Sequence, residues 1–248
     1  LAEYAGSYLI GGSLLLVAAA IIAIRLRPDP LVVAGGVRQA TQPRLPFTTS
    51  MGLILGHHRA RIAVFAMAIS QAVMVGTMTL TPLHMKDGNQ SGTAISVMLF
   101  AHIMGMYLLS PAVGVMADRI GRYPMLFVAG ILCVAGATTS GMTPASGFYG
   151  ITSGQAMIGL AWSFGFISAS GLLTESFPVS QRASVQGAGD LCMAACGAIA
   201  GVSAGAIVAA RSYTDLNVAA GTLGVILILT VIYAAASTRS ERAVAATN

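Results

Sequence analysis

An all-α, polytopic membrane helix bundle is the fold class this sequence predicts, from its composition, its apolar segmentation and the placement of its charges. Hydrophobic residues make up 56% of the 248 and charged residues 8%, against about 25% charged in an ordinary soluble domain. Mean hydropathy is +0.79, so the chain is built to use lipid as its solvent. Seven stretches approach the roughly 20 apolar residues that cross a hydrocarbon core of ~30 Å. They are 8–26, 62–83, 94–116, 124–143, 148–173, 183–209 and 217–236. Within lipid every backbone polar group must be paired inside its own segment, which makes each stretch a helix and gives seven predicted transmembrane helices.

The charges orient these spans. Arg25, Arg27, Arg38, Arg44, Arg59 and Arg61 fall between the first and second, Arg119 and Arg122 between the third and fourth, Arg182 between the fifth and sixth, and Arg239 and Arg242 after the seventh. Eleven of the thirteen Lys and Arg thus share one side, with Lys86 and Arg211 opposite. The positive-inside bias makes the arginine side, including the C-terminus, cytoplasmic. Net charge is +5, but a basic patch interleaved with aromatics is missing, so nucleic acid is not an expected partner. Between Arg27 and Arg61 the apolar pattern lapses into Pro28, Pro30, Gly35, Gly36, Pro43 and Pro46, a linker composition. The expected domains are therefore 1–26, one helix; 27–61, a basic cytoplasmic linker; and 62–248, six helices with a short tail.

Connections on the other side are short: Lys86 to Gly92, Thr143 to Gly147 and Arg211 to Asn217. They leave no room for an external domain. The chain starts at Leu1 without an initiator Met or a signal-peptide pattern, and it is expected to be part of a longer protein that continues N-terminally. Cys133, Cys192 and Cys196 lie within spans, where a structural disulfide is not expected, and read as packing thiols. Gly197, Gly201 and Gly205 recur every fourth residue, which suits close helix packing or, in a moving bundle, sliding.

Two constellations bear on cargo. In the second span Met67, Gln71, Met74 and Met78 share one helical face, with Met85 further on; in the third, Met98, His102 and Met106 do the same. At ~1.5 Å per residue, Met74 lies about 14 Å and His102 about 12 Å in from the outer ends of their spans, so the two stripes can meet near midplane. Thioether and imidazole suit Cu(I). Methionine also fills apolar helices generally, whereas an intramembrane His is costly and points inward by default. Asp190, one turn after Gln186, is the one acid well inside a span. It can take up and release a proton during transport, or make a structural hydrogen bond. Cys192 and Cys196 sit about 200° and about 240° around the helix from it, off its stripe.

The most specific string is Gly114-Val-Met-Ala-Asp118-Arg119-Ile-Gly121-Arg122, between the third and fourth spans. It resembles the G-x-x-x-D-R-x-G-R loop signature of the major facilitator superfamily, with Tyr123 and Pro124 where the family usually has a further basic residue. Chemically, an acid and two arginines in a tight loop can bridge helix ends. The resemblance implies the C-terminal half of a major facilitator fold, spans one to seven standing for family helices six to twelve. It also implies alternating access around a midplane site, a missing N-terminal bundle of the same protein, and a cytoplasmic latch of Asp118, Arg119 and Arg122. Glu175 through Pro178 to Arg182 is in the style of a further family loop. The pairs Met74/Met78 and His102/Met106 resemble those of the CcoA-like branch, which includes copper importers and riboflavin carriers. The expectation is a secondary transporter in a bacterial-type plasma membrane, working without a cofactor. Cu(I) is its leading cargo, with Met74, Met78, His102, Met106 and Gln71 on the path and Met74, Met78, His102 and Met106 as the metal ligands. Riboflavin or another organic nutrient, or amphipathic compounds exported against protons, are the alternatives.

Other classes fit less well. A retinal protein needs a lysine inside a helix, and Lys86 lies in a loop. An intramembrane enzyme would need catalytic strings such as His-Glu-x-x-His or Gly-x-Ser-x-Gly, which are not in the sequence, so no catalytic residue is expected. A channel would show a filter or a repeated polar pore face.

Overall fold

The computed structural model describes residues 2–28 and 45–247, with side chains described over 9–28 and 45–237. The expectations on Pro30, Gly35, Gly36, Arg38, Pro43 and Arg44, and on the side chains of Arg239 and Arg242, lie outside the described residues. The chain divides into two units, 1–44 and 45–248.

In the first unit, helix α1 runs Ala2–Arg25. It covers the first expected span, and its part with described side chains, Leu9–Arg25, is apolar.

The second unit is helical throughout its described residues: α2 (Phe47–Gly56), α3 (His58–Asp87), α4 (Gly92–Tyr107), α5 (Ser110–Ile120), α6 (Arg122–Met142), α7 (Phe148–Glu175), α8 (Val179–Ala210) and α9 (Tyr213–Thr247). Six segments among the described residues are long and apolar enough to cross a membrane, α4 and α5 together making one of them. They match the last six stretches expected from the sequence. The stretch expected over 94–116 is broken at Leu108 and Leu109 because Pro111, in the first turn of α5, has no N–H to give the carbonyl of Tyr107. The segment expected as linker ends in helix: α2 and the first turn of α3 occupy 47–61. Pro46 starts α2 and His57, in extended conformation, separates it from α3. α2 has 10 residues, too short to give a span-length apolar signal.

Helices α3 and α7 form the middle of the bundle. Each has 56% of its apolar window buried, against 11% for α8. α7 packs against α3, α4 and α6, while α3 packs against α7, α8 and α9; α3 and α4 touch each other little. Lipid tails are as apolar as these side chains, so the bundle is held by close contact more than by escape from water. Glycines set that closeness: a Cβ on Gly105 would lie 2.5 Å from the Ala156 carbonyl oxygen, and one on Gly159 would run into the carbonyl of His102. Of the small-residue face on α8, Gly197 and Gly201 meet α3 at Gln71 and Val75, while Gly205 faces open space.

Gly121 turns the chain from α5 into α6 with φ 109° and ψ 158°, a region essentially restricted to glycine. Gly121→Ala is expected to destabilise the bundle by about 1–3 kcal/mol. A thermal unfolding midpoint unchanged from wild type would show that the turn relaxes without cost.

Candidate functional site

Gly121 brings Arg122 onto two carboxylates. Its Nη2 donates to Asp118 Oδ1 and to Glu175 Oε1, both at 2.6 Å, and its Nε donates to Glu175 Oε1 at 3.1 Å. Asp118 belongs to the end of α5 and Glu175 to the end of α7, so one guanidinium ties three helix ends. It lies so close over Gly171 that a Cβ there would come within 2.7 Å of Arg122 Cζ. Gly171 is therefore part of the seat. Of the expected loop residues, Asp118 and Arg122 meet directly. Arg119 is exposed without an ion pair among the described residues, and Gly114, on α5, has open space around it. Glu175 was visible in the sequence as a loop acid but not as the partner of Arg122.

The methionine stripes come together in part. Met67, Met74 and Met106 are buried in one core, with Met78 packed against it; Met85 and Met98 belong to a second cluster with Ile151. His102 is fully buried, and its Nδ1 donates to the Gln155 carbonyl oxygen of α7 at 2.8 Å. A carbonyl only accepts, so Nδ1 carries the proton and Nε2 is an acceptor, left without a hydrogen-bond partner among the described residues. The α4 stripe thus lies against α7 rather than directly against α3. Among the described residues no three His, Cys, Asp or Glu side chains come together, so a metal held here would depend on thioethers.

An aromatic face joins α3, α4 and α7. Trp162 Nε1 donates to Gln71 Oε1 at 2.7 Å. The indole stacks on Phe166, with centroids 5.0 Å apart and planes at 10°, and meets the edge of Tyr107 at 5.9 Å. Gln71, Trp162 and Phe166 are half-buried and Tyr107 is exposed, whereas Phe164 sits in the core. The hydrogen bond fixes the indole plane and leaves a flat apolar surface with a polar edge. Gln71 stood out beforehand for its place on the methionine face; its bond to Trp162, 91 positions away, did not.

Asp190 is half-buried. Its Oδ1 accepts from Gln186 Nε2 at 2.7 Å, and Gln186 Oε1 accepts from Ser170 Oγ at 3.1 Å. This chain of bonds links α8 to α7. Cys192 and Cys196 line a cavity that Asp190 does not border, off the Asp190 stripe as their helical angle requires, and all three cysteines are free thiols.

At the end opposite the Arg122 ion pairs, neutral groups are knitted together. Gln155 Nε2 donates to Thr81 Oγ1 at 2.8 Å, and the Tyr213 hydroxyl lies 2.8 Å from Thr81 Oγ1 and 2.7 Å from Ser140 Oγ. With His102 bound to the Gln155 backbone, five helices share this buried network. Gln155 was open to recognition from sequence as a polar side chain two turns into an apolar span.

Six spans, two of them central, with an Arg-carboxylate tie at one end and a mixed aromatic and polar face between, define a multi-pass membrane protein built as a helical half-bundle. The sequence matches the Major Facilitator Superfamily over residues 63–247, and the chain belongs to that family. Similar proteins include two uncharacterized MFS-type transporters of Bacillus subtilis (strain 168). YdeG is 32% identical over 238 residues, covering 92% of this chain and 54% of YdeG. YddS is 29% identical over 239 residues, 92% of this chain and 53% of YddS. The riboflavin transporter RfnT of Brucella anthropi is 26% identical over 221 residues, 87% of this chain and 52% of RfnT. The chain spans about half the length of these relatives.

Proposed function

We propose that this chain supplies the C-terminal half of a secondary transporter that moves a small organic solute with a flat ring system. In this reading 1–26 is the last helix of an N-terminal bundle, 27–61 a basic linker, and 62–248 the bundle that rocks against that partner around a central site. The arginine-rich ends face the cytoplasm of a cell whose plasma membrane holds the protein. Asp118, Arg122 and Glu175 latch that side, and Asp190 is the carboxyl through which protons couple to transport. The observation that carries the cargo assignment is the Trp162 indole, held in plane by Gln71 and stacked on Phe166. Such a surface gains dispersion and quadrupole contact with a flat ring and little with a small ion. Similarity to a riboflavin transporter supports the same class.

Cu(I) import is the second reading. It is favoured by one observation: the buried His102 Nε2 has no hydrogen-bond partner among the described residues and is flanked on its own helix face by Met98 and Met106. One experiment separates the two. Labelled riboflavin and radioactive copper uptake are measured side by side in cells expressing the chain joined to its N-terminal half, at matched membrane levels. The organic reading expects riboflavin uptake above the empty-vector control, reduced about tenfold by Trp162→Leu and unchanged by Met74→Ala. Copper uptake that collapses in both Met74→Ala and His102→Ala would replace it with the metal reading. Uptake of neither above the control overturns both.

A further inference from the structure

We propose that the basic end of the bundle carries a binding site for one anionic glycerophospholipid, in the cavity of about 580 Å³ that α2, α3, α8 and α9 leave between them. Its walls are apolar: Met51, Ile54 and Leu55 of α2, Ile62 and Phe65 of α3, and Tyr233 of α9. Its polar rim is the first turn of α3, where Arg61 Nη2 lies 3.5 Å from His58 Nδ1 and His58 Nε2 lies 3.4 Å from Ser237 Oγ. Arg61 is exposed, and it is the arginine of this turn that lines the cavity. The ion pairs among the described residues are those of Arg122, so Arg61 has no carboxylate partner among them.

Three features select the occupant. An apolar cavity of this size within reach of acyl chains forfeits dispersion energy unless something apolar enters it. A guanidinium without a carboxylate at the membrane surface offers a planar fork to a phosphate, and basic pockets between membrane helices recognise anionic headgroups in this way. The cavity follows α3 from His58 to Ala68, ten residues or about 15 Å, so a headgroup on Arg61 leaves an acyl chain running inward along the wall. α2 completes the site. Too short to cross the bilayer, it borders the cavity with Leu55, itself 59% exposed. Neither Gln71 nor Trp162 lines this cavity, so the lipid site stands or falls separately from the cargo site.

Native mass spectrometry tests it on the protein joined to its N-terminal half, released from detergent after equilibration with phosphatidylglycerol or with phosphatidylcholine. One phosphatidylglycerol is expected to stay bound where phosphatidylcholine does not. Arg61→Gln, a surface change, is expected to weaken retention about tenfold, one lost charge-assisted contact, while Arg211→Gln at the opposite end retains the lipid. Ala68→Trp, which fills the cavity and leaves the charge, is expected to expel it. The unfolding midpoint should rise with phosphatidylglycerol in wild type and not in Arg61→Gln. Equal retention of both lipids, undiminished binding by Arg61→Gln, or a lipid-free wild type, which would mean that protein covers the cavity, overturns the proposal.

Discussion

Replacing Arg122 by alanine is expected to slow uptake roughly thirtyfold while moving the half-saturating cargo concentration by less than about twofold. The reason is its position between two carboxylates on different helices. Charge-assisted hydrogen bonds contribute about 1.5–3 kcal/mol when sheltered. Here the Asp118 side chain is 67% exposed and that of Glu175 44%, so water screens each contact to about 1 kcal/mol. Two contacts then shift the balance between latched and open states by about 2 kcal/mol, which is about thirtyfold. Asp118→Ala removes one of them and should slow uptake about fivefold. Arg122→Lys keeps the charge but loses the fork that serves both acids, and should fall between. Initial-rate measurements over a range of cargo concentrations separate turnover from binding; an unchanged rate in Asp118→Ala retires the latch.

The second large effect is expected at Trp162, and there it is binding that suffers. Trp162→Ala removes the stacking surface and the polar edge together, a loss of about 2 kcal/mol, and should raise the half-saturating concentration of a flat solute about thirtyfold. Trp162→Phe keeps a ring without the N–H that Gln71 holds, and should cost about fivefold. Gln71→Leu removes the other partner of the same bond. Combining Trp162→Phe with Gln71→Leu should therefore cost less than the two single losses added together. Strict additivity would mean that the 2.7 Å contact does not position the indole.

How much of this was legible beforehand depended on the range of the interaction. The spans were readable because apolar length is a local property, and the six membrane-length segments of the second unit fall where the hydropathy placed them. Gly121 and its arginine could be read from a nine-residue string. The break before Pro111 was open to the same local reading but was smoothed over by the continuous apolar run. α2 was absorbed into the linker because ten residues among prolines and arginines carry no membrane signal. What pairs with what was not legible. Arg122 to Glu175 spans 53 positions and Trp162 to Gln71 spans 91, and nothing local announces either. For the methionines, periodicity gave the correct faces but not their neighbours. His102 shares a helical face with Met98 and Met106, yet a backbone carbonyl of α7 claims its Nδ1, and that depends on the close approach that Gly105 and Gly159 permit.

The two ends of the bundle are fastened by different kinds of force, and they answer differently to their surroundings. Thr81, Gln155, Ser140 and Tyr213 are buried neutral groups, beyond the reach of dissolved ions. The Asp118, Arg122 and Glu175 tie stands in partial contact with water, where raising ionic strength from 0.01 to 0.15 M shortens the screening length from about 30 Å to about 8 Å. One end is therefore held by contacts that salt does not reach, and the other by a fastening that weakens as ionic strength rises. In the rocking motion proposed above, the charged end is the one expected to yield first, and the salt content of the compartment it faces is expected to act on that motion without touching the cargo.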